Sequence, residues 1–335
     1  MANIIWLGEK YFSHRLTECG WDRVFAHKPA PYDVFTYEDL VKLAGFIPDV
    51  VVAADFSSPP TLPGVENFPC LTVFYSIDSH IHSWHPVYSQ AFDACLHSLK
   101  DHHAAFERAW LPSDRVWWSP AFAKDSDYPD FHAKKEYKSV FVGTDNSELA
   151  PKRHNFLKKL SELQPDFYVT RGKYRDIYNK SHVIVNQAEH DDLNFRVFEA
   201  MGCGGALVTP LIGHGLEELF INGRHFLGYE SGNAGDASAK INRLLEDSKL
   251  CQAIAQAGYE EVNARHRAVH RAQAFTRNME KLFKSNMGKD IVLARLSRAK
   301  EMRDKLLSMF YLSFAAELDE PRFKSAFFKA SKGIM

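Results

Sequence analysis

The chain has 335 residues, 45% of them hydrophobic and 25% charged; this excludes disordered and collagenous classes and, at about 150 residues per domain, a lone small module. Lys plus Arg number 41 and Asp plus Glu 42, a net charge of -1, so no long-range field favours nucleic acid or an anionic bilayer. Five cysteines without a C-x-x-C pair read as reduced core thiols in a cytoplasmic protein. There is no signal-like amino terminus and no run near ~18 apolar residues to suggest export or a membrane span.

Short apolar runs alternate with helix-period stretches, the pattern of parallel βαβ units. In the first half, strands are expected at Asn3–Leu7, Asp49–Ala54, Cys70–Tyr75 and Phe92–Leu99, with helices near Tyr11–Cys19, Tyr37–Ala44 and Asp101–Ala109. Each strand runs into a small or polar loop at Gly8–Glu9, Asp55–Ser58 or Ser76–His80, and the carboxyl ends of strands are where open α/β sheets bind ligands. Pro120–Lys138 lacks periodicity and reads as a linker. A second series then gives strands at Ser139–Gly143, Asp166–Thr170, His182–Asn186 and Ala206–Thr209. Its helices are Pro151–Leu163, Tyr174–Asn179, Asn194–Gly202, Ala237–Glu246, Leu250–Asn263 and Ala268–Phe283.

The expected fold class is α/β, with two facing Rossmann-like, doubly wound parallel-sheet domains at 1–133 and 134–285 and a helical extension at 286–335. Tandem domains of similar size place a ligand cleft between them. In the extension, Leu293, Leu296, Met302, Leu306 and Met309 recur at helical spacing, with Phe310 beside them. Such an amphipathic helix packs on the body of the protein or across a homodimer, or, less commonly, lies on a membrane through residues 290–314.

The segment His182–Pro210, HVIVNQAEHDDLNFRVFEAMGCGGALVTP, carries the most chemistry. A β-branched strand passes through an acidic, amide-bearing loop into a helix whose amino-terminal N–H groups, from Asp192 to Phe195, make a seat for a diphosphate. Glu199, about a turn further in, is placed to accept the hydroxyl protons of a ribose. A plain core helix with a surface carboxylate and a glycine C-cap is the alternative reading.

The pattern N-x-R-V-x-E-A-M-x-C-G at Asn194–Gly204 resembles the donor-binding segment of GT-B glycosyltransferases, in the "glycosyl transferases group 1" branch with CgeB-like proteins. The resemblance implies that Glu199 binds the ribose of a nucleotide-sugar donor, that Asn194, Phe195 and Arg196 hold its diphosphate, and that Asp191, eight positions before Glu199, contacts the transferred sugar. S-V-F-V-G-T-D-N and P-K-R-H-N-F-L, at 139–146 and 151–157, resemble the first strand, loop and helix of that domain. By position they assign Gly143 and Thr144 to close backbone approach and Lys152 and Arg153 to the phosphates. Residues 253–270 resemble the closing helices.

In the first half, F-Y-S-I-D-S-H-I-H-S-W-H-P at 74–86 gathers Asp78, His80, His82, Trp84 and His85 behind a strand. Metal ligation, helix capping by Asp78 or Ser79, and a catalytic role are the readings open to it. The resemblance favours the catalytic one, with Asp78 or His80 lining a sugar pocket. It implies sugar transfer from a UDP- or GDP-linked donor to an unidentified glycan, peptide or small-molecule acceptor, with retention, and requires no cofactor or metal. A nucleotide-sugar epimerase and a catalytically silent binding module are the rivals. A dinucleotide dehydrogenase is disfavoured, because no G-x-G-x-x-G follows Gly8.

Overall fold

The computed structural model describes residues 2–130, 132–284 and 287–334. The chain divides into two compact units, one formed by Met1–Ser119 with Arg271–Met335 and the other by Pro120–His270. This partition differs from the limits expected from sequence. Residues 120–133 join the second unit, where Ala123 N–H donates to His266 O at 2.9 Å. The expected limit at 285/286 lies outside the described residues. Loss of periodicity marks where regular structure stops, which is a different property from where packing changes partner.

The first unit carries six parallel strands: β1 (Asn3–Gly8), β2 (Arg23–His27), β3 (Val50–Ala54), β4 (Leu71–Ser76), β5 (Ala94–His97) and β6 (Val116–Trp118), in the order β2-β1-β3-β4-β5-β6. Every residue of β3 and β4 is buried, as expected of parallel strands covered on both faces. The chain steps outward from β1 to β2, then returns to lay β3 on the other side of β1, so the direction of winding reverses between β1 and β3.

The second unit has β7 (Tyr137–Val142), β8 (Phe167–Thr170), β9 (Ser181–Val185), β10 (Ala206–Leu211) and β11 (Leu227–Glu230), all parallel, in the order β11-β10-β9-β7-β8. Here winding reverses between β7 and β9. In doubly wound sheets a ligand crevice opens at the carboxyl ends of the two strands flanking that reversal.

Several elements depart from expectation. The stretch Tyr11–Cys19 forms two 3-10 turns, Ser13–Arg15 and Thr17–Cys19, rather than an α-helix. A left-handed Tyr11 (φ 42°) precedes the first turn and a left-handed Gly20 (φ 90°) ends the second. The region around Asp101–Ala109 holds a single α-helical turn, His103–Phe106. Of Phe92–Leu99 only Ala94–His97 is strand, because Ser89–Ala91 winds as a 3-10 turn ahead of it. Strands β2, β6 and β11 had no sequence signal. The outer strand β2 is half-exposed and mixed in polarity, β6 has three residues, and β11 contains a glycine.

The extension packs into the core of the first unit. Met302, Leu307, Phe310, Tyr311 and Phe314 join Phe74, Tyr88 and Phe92 there. Leu293 and Met309, expected on the apolar face, are 63% and 75% exposed. Leu293 lies beside the buried row in helix Met287–Met302, and Met309 follows a π-helical turn, Arg303–Leu307, that leads into helix Ser308–Glu317. Buried positions 292, 295, 299 and 302 are followed by 307, 310, 311, 314 and 315, so the wide turn shifts the inward face by one residue. Arg295 occupies the inward face as well. Its guanidinium donates to Asp93 Oδ1 (2.9 Å) and to the carbonyls of Val65, Phe68 and Cys70 at 2.8–3.1 Å. No helix among the described residues is long and apolar enough to cross a membrane.

Candidate functional site

At the winding reversal of the second unit, β7 ends in Val142-Gly143-Thr144 and β9 continues into Asn186-Gln187. Arg196, in the first turn of helix Phe195–Gly202, ties these ends together. Its Nε donates to Val142 O (3.1 Å), and one terminal nitrogen reaches Asn186 Oδ1 (2.8 Å) and Gln187 O (3.3 Å). The guanidinium also lies 5.0 Å from the centre of the Phe141 ring. Gly143 is required by this crowding, since a Cβ there would sit 2.9 Å from the Phe141 ring and 3.1 Å from the Arg196 guanidinium.

Arg153 enters the same crevice from helix Pro151–Leu163, donating to Gln187 O and Thr144 O at 3.3 Å each. Burial lowers its pKa first and the neighbouring Arg196 lowers it further, against the opposing effects of Asp192, Glu189 and Asp145. The amino terminus of its helix is already satisfied, because the Glu189 carboxylate accepts from Lys152 N–H (3.1 Å) and Arg153 N–H (2.8 Å). The Lys152 side chain is exposed. Asn194 caps the following helix, its Oδ1 accepting from Arg196 N–H at 3.1 Å. That N–H is therefore engaged. Phe195 packs edge-on to Phe122.

Glu199, three residues beyond Arg196 on the same helix, is 12% exposed, with Lys124 Nζ 3.3 Å away. Its pKa is raised above the usual 4.5, chiefly by burial and then by the Asp127 carboxylate, while Lys124 opposes the shift. Tyr174 donates to Asp127 Oδ1 at 2.8 Å, and Lys124 rests 5.3 Å from the Tyr174 ring centre. Asp191 stands on the loop after β9 with a left-handed backbone (φ 55°) and accepts from Ser231 Oγ at 2.6 Å.

In the first unit, Asp78 and His80 fall at the carboxyl end of β4. The organiser of this corner is Asp55, after β3. Its carboxylate accepts from the N–H groups of Ser57 (2.9 Å), Ile77 (3.2 Å) and Asp78 (2.8 Å), and its carbonyl accepts from Tyr11 Oη (2.8 Å). Ser57 Oγ donates to the Asp78 carboxylate. The Asp78 pKa is raised by burial and by Asp55, against Ser57, His80 and His82. Gly8 is the close approach at the end of β1, with φ 119° and an added Cβ falling 1.7 Å from Ala54 O. Of the residues grouped with Asp78 from sequence, His85 lies against this corner with Nε2 3.9 Å from Asp55 Oδ1, and Trp84 packs away from it. His85 is fully buried with Nδ1 2.8 Å from Ser76 Oγ, and Trp84 meets Phe314 edge-on at 5.4 Å.

The structure thus joins Gly143, Thr144, Arg153 and Arg196 in one crevice, Glu199 with Lys124 and Asp127 in a second cluster of that unit, and Asp78 with Asp55 and Ser57 in the other unit. Sequence reasoning missed Asn186, Gln187, Glu189, Lys124 and Asp55. The Asn-Gln pair directly after a β-branched run was the available signal.

A family model described as "Glycosyl transferase-like" matches residues 136–277. No curated protein sequence matches the chain. Among solved structures the chain is similar to HepE from Anabaena in complex with UDP-glucose, with a TM-score of 0.61, 14% identity, and coverage of 84% of this chain and 100% of that one. It is also similar to sucrose-phosphate synthase from Thermosynechococcus elongatus, with a TM-score of 0.54, 14% identity, and coverage of 84% and 99%. A glycosyltransferase from Rickettsia africae gives a TM-score of 0.55, 10% identity, and coverage of 84% and 99%. The fold is that of GT-B glycosyltransferases, with two parallel-sheet α/β domains and a helical extension.

Proposed function

We propose that the protein is a glycosyltransferase that moves a sugar from a UDP- or GDP-linked donor to a hydroxyl-bearing acceptor with retention of configuration. The observation that carries this reading is the pair of neighbouring guanidiniums, Arg153 and Arg196, at the carboxyl ends of β7 and β9, where burial and then the Arg196 charge disfavour the charge on Arg153. A diphosphate relieves that repulsion. In the transition state, charge develops on the departing phosphate oxygen, and preorganised cations stabilise it more than the bound donor. Arg153 supplies the fork and the exposed Lys152 a mobile ammonium, while Arg196, already spent on three acceptors, holds the crevice open.

Glu199 exchanges its contact with Lys124 for the two ribose hydroxyls, and Asp191 contacts the sugar. The bond from the anomeric carbon to the phosphate oxygen breaks as the bond to the acceptor oxygen forms. The acceptor proton passes to the departing phosphate, so retention needs no protein base. Asp78 and His80 then serve the acceptor in the first unit. The likeness to HepE, solved with UDP-glucose, and the CgeB-like pattern at Asn194–Gly204 support the same reading.

The test is a thermal-shift series with UDP, GDP, CDP, ADP and TDP and their sugars. One nucleotide at a hundredfold excess over its Kd should stabilise the protein by about 2.7 kcal/mol. No shift with any of them overturns the reading. Conversion of the donor sugar without an acceptor would instead identify an epimerase.

A further inference from the structure

We propose that the solvent face of helix Pro321–Lys332 is a docking surface for an anionic lipid bilayer. The helix is fixed from beneath. Phe323, Phe327 and Ala330 are fully buried, with Phe327 5.8 Å from both Tyr311 and Phe314 between ring centres. Its outward face is therefore displayed by a rigid support.

That face has two features that a soluble surface does not require together. Arg322, Lys324, Lys329 and Lys332 all point outward, and no Asp or Glu occurs between Pro321 and Lys332. In their midst Phe328 is 52% exposed. Lys324 and Lys332 stand four residues to either side of it, which places them on the same strip of the helix, with Lys332 Nζ 5.7 Å from the Phe328 ring centre. Past the left-handed Gly333, Ile334 folds back so that its N–H meets Lys329 O at 3.0 Å, and its side chain is 67% exposed.

Asp39, which lines a groove with Arg322 and Lys329, is engaged with Thr36, and the carboxylates at the helix start do not cancel this charge. Glu320 is engaged at the helix start, accepting from Phe323 N–H at 2.5 Å. Asp319 lies 3.8 Å from Lys324 Nζ but is fully exposed, and such a pair is weak. An acidic polypeptide would satisfy the cations and leave Phe328 in water. A bilayer interface satisfies both, with the ring entering the acyl boundary and the long cationic stems reaching lipid phosphates. The chain's net charge of -1 means that attraction must come from this local strip. The surface differs from the segment 290–314 singled out by sequence, where Val292, Met302, Phe310 and Phe314 are buried, and it does not depend on the donor-site reading.

The test is co-sedimentation of the full chain with vesicles of phosphatidylcholine alone or mixed with phosphatidylglycerol, at about 0.1 M salt. Binding is expected to the mixed vesicles alone and to weaken as salt rises. Lys324→Glu with Lys332→Glu should lower the apparent affinity roughly tenfold or more. Lys324→Gln with Lys332→Gln should have a smaller effect in the same direction, and Phe328→Ser should weaken binding severalfold. Thermal unfolding of each variant, expected to match the parent, separates loss of binding from loss of fold. Failure of the parent chain to bind, or equal binding by the folded variants, overturns the proposal. So does displacement by polyglutamate with no effect of Phe328→Ser, which would assign the strip to an acidic protein.

Discussion

At the strand ends of the first unit, Asp55 and Asp78 share a half-buried corner with imidazoles, whereas the equivalent ends in the second unit carry Arg153 and Arg196. Both sheets are parallel and doubly wound, both reverse direction beside their first strand, and both place a glycine where that strand ends, Gly8 in one and Gly143 in the other. Topology alone therefore makes two crevices, and charge decides what each can hold. A corner in which burial and then a second carboxylate raise the pKa of Asp78 repels a diphosphate. A corner in which a half-buried guanidinium lies beside a second one attracts one. Fold supplies the location and the side chains supply the function.

The largest expected break in this comparison comes from Arg153→Ala. It should lower turnover about a hundredfold or more while leaving the melting temperature nearly unchanged, because its present bonds are long. Arg196→Ala should do the reverse in part, destabilising the protein by about 2 kcal/mol, since Val142 O, Asn186 and Gln187 lose their donor. Equal melting temperatures for the two variants would remove the distinction between phosphate ligand and strut. Turnover and thermal unfolding measure both.

Glu199→Gln should weaken donor nucleotide binding by about ten- to a hundredfold, read by calorimetry, without loss of stability. In the parent, binding should fall as pH drops through the raised Glu199 pKa, because protonation removes an acceptor. The variant should lack that dependence. The smallest effect belongs to the acidic corner. Asp78 has a folded-state pKa raised above 3.8, so the native state holds that proton more firmly than the unfolded chain and stability declines as pH rises through the interval. Asp78→Asn should therefore gain in melting temperature relative to the parent as pH rises across it. A difference that stays constant with pH would show that the carboxyl is not perturbed.

Much of the fold was legible because it is local. Helices Tyr37–Ala44, Pro151–Leu163, Tyr174–Asn179 and Ala268–Phe283 occur as expected. The first is set by a Thr36–Asp39 capping box and the second by proline at its first position. The motif at Asn194–Gly204 was legible because it is contiguous. What the sequence hid is non-local. Lys124 meets Glu199 across 75 positions, and Asp55 gathers amides from two loops. Arg196 read as a phosphate ligand because its type suits one, and the three acceptors reached by its Nε and one terminal nitrogen were not legible in the sequence.

The π-helical turn at Arg303–Leu307 bears on how the chain tolerates changes in its own length. A π turn holds one residue more than the α turn it interrupts. Removing exposed Asp304 or Lys305 therefore restores an ordinary helix in which Met302 and Phe310 both keep their inward orientation. One residue deleted from the helix before it, between Val292 and Ala299, would instead turn everything that follows by about 100° and swing the Phe310–Phe314 face off the core. The chain carries a spare residue here, and this is the place in the extension where a relative could be one residue shorter and keep the same shape.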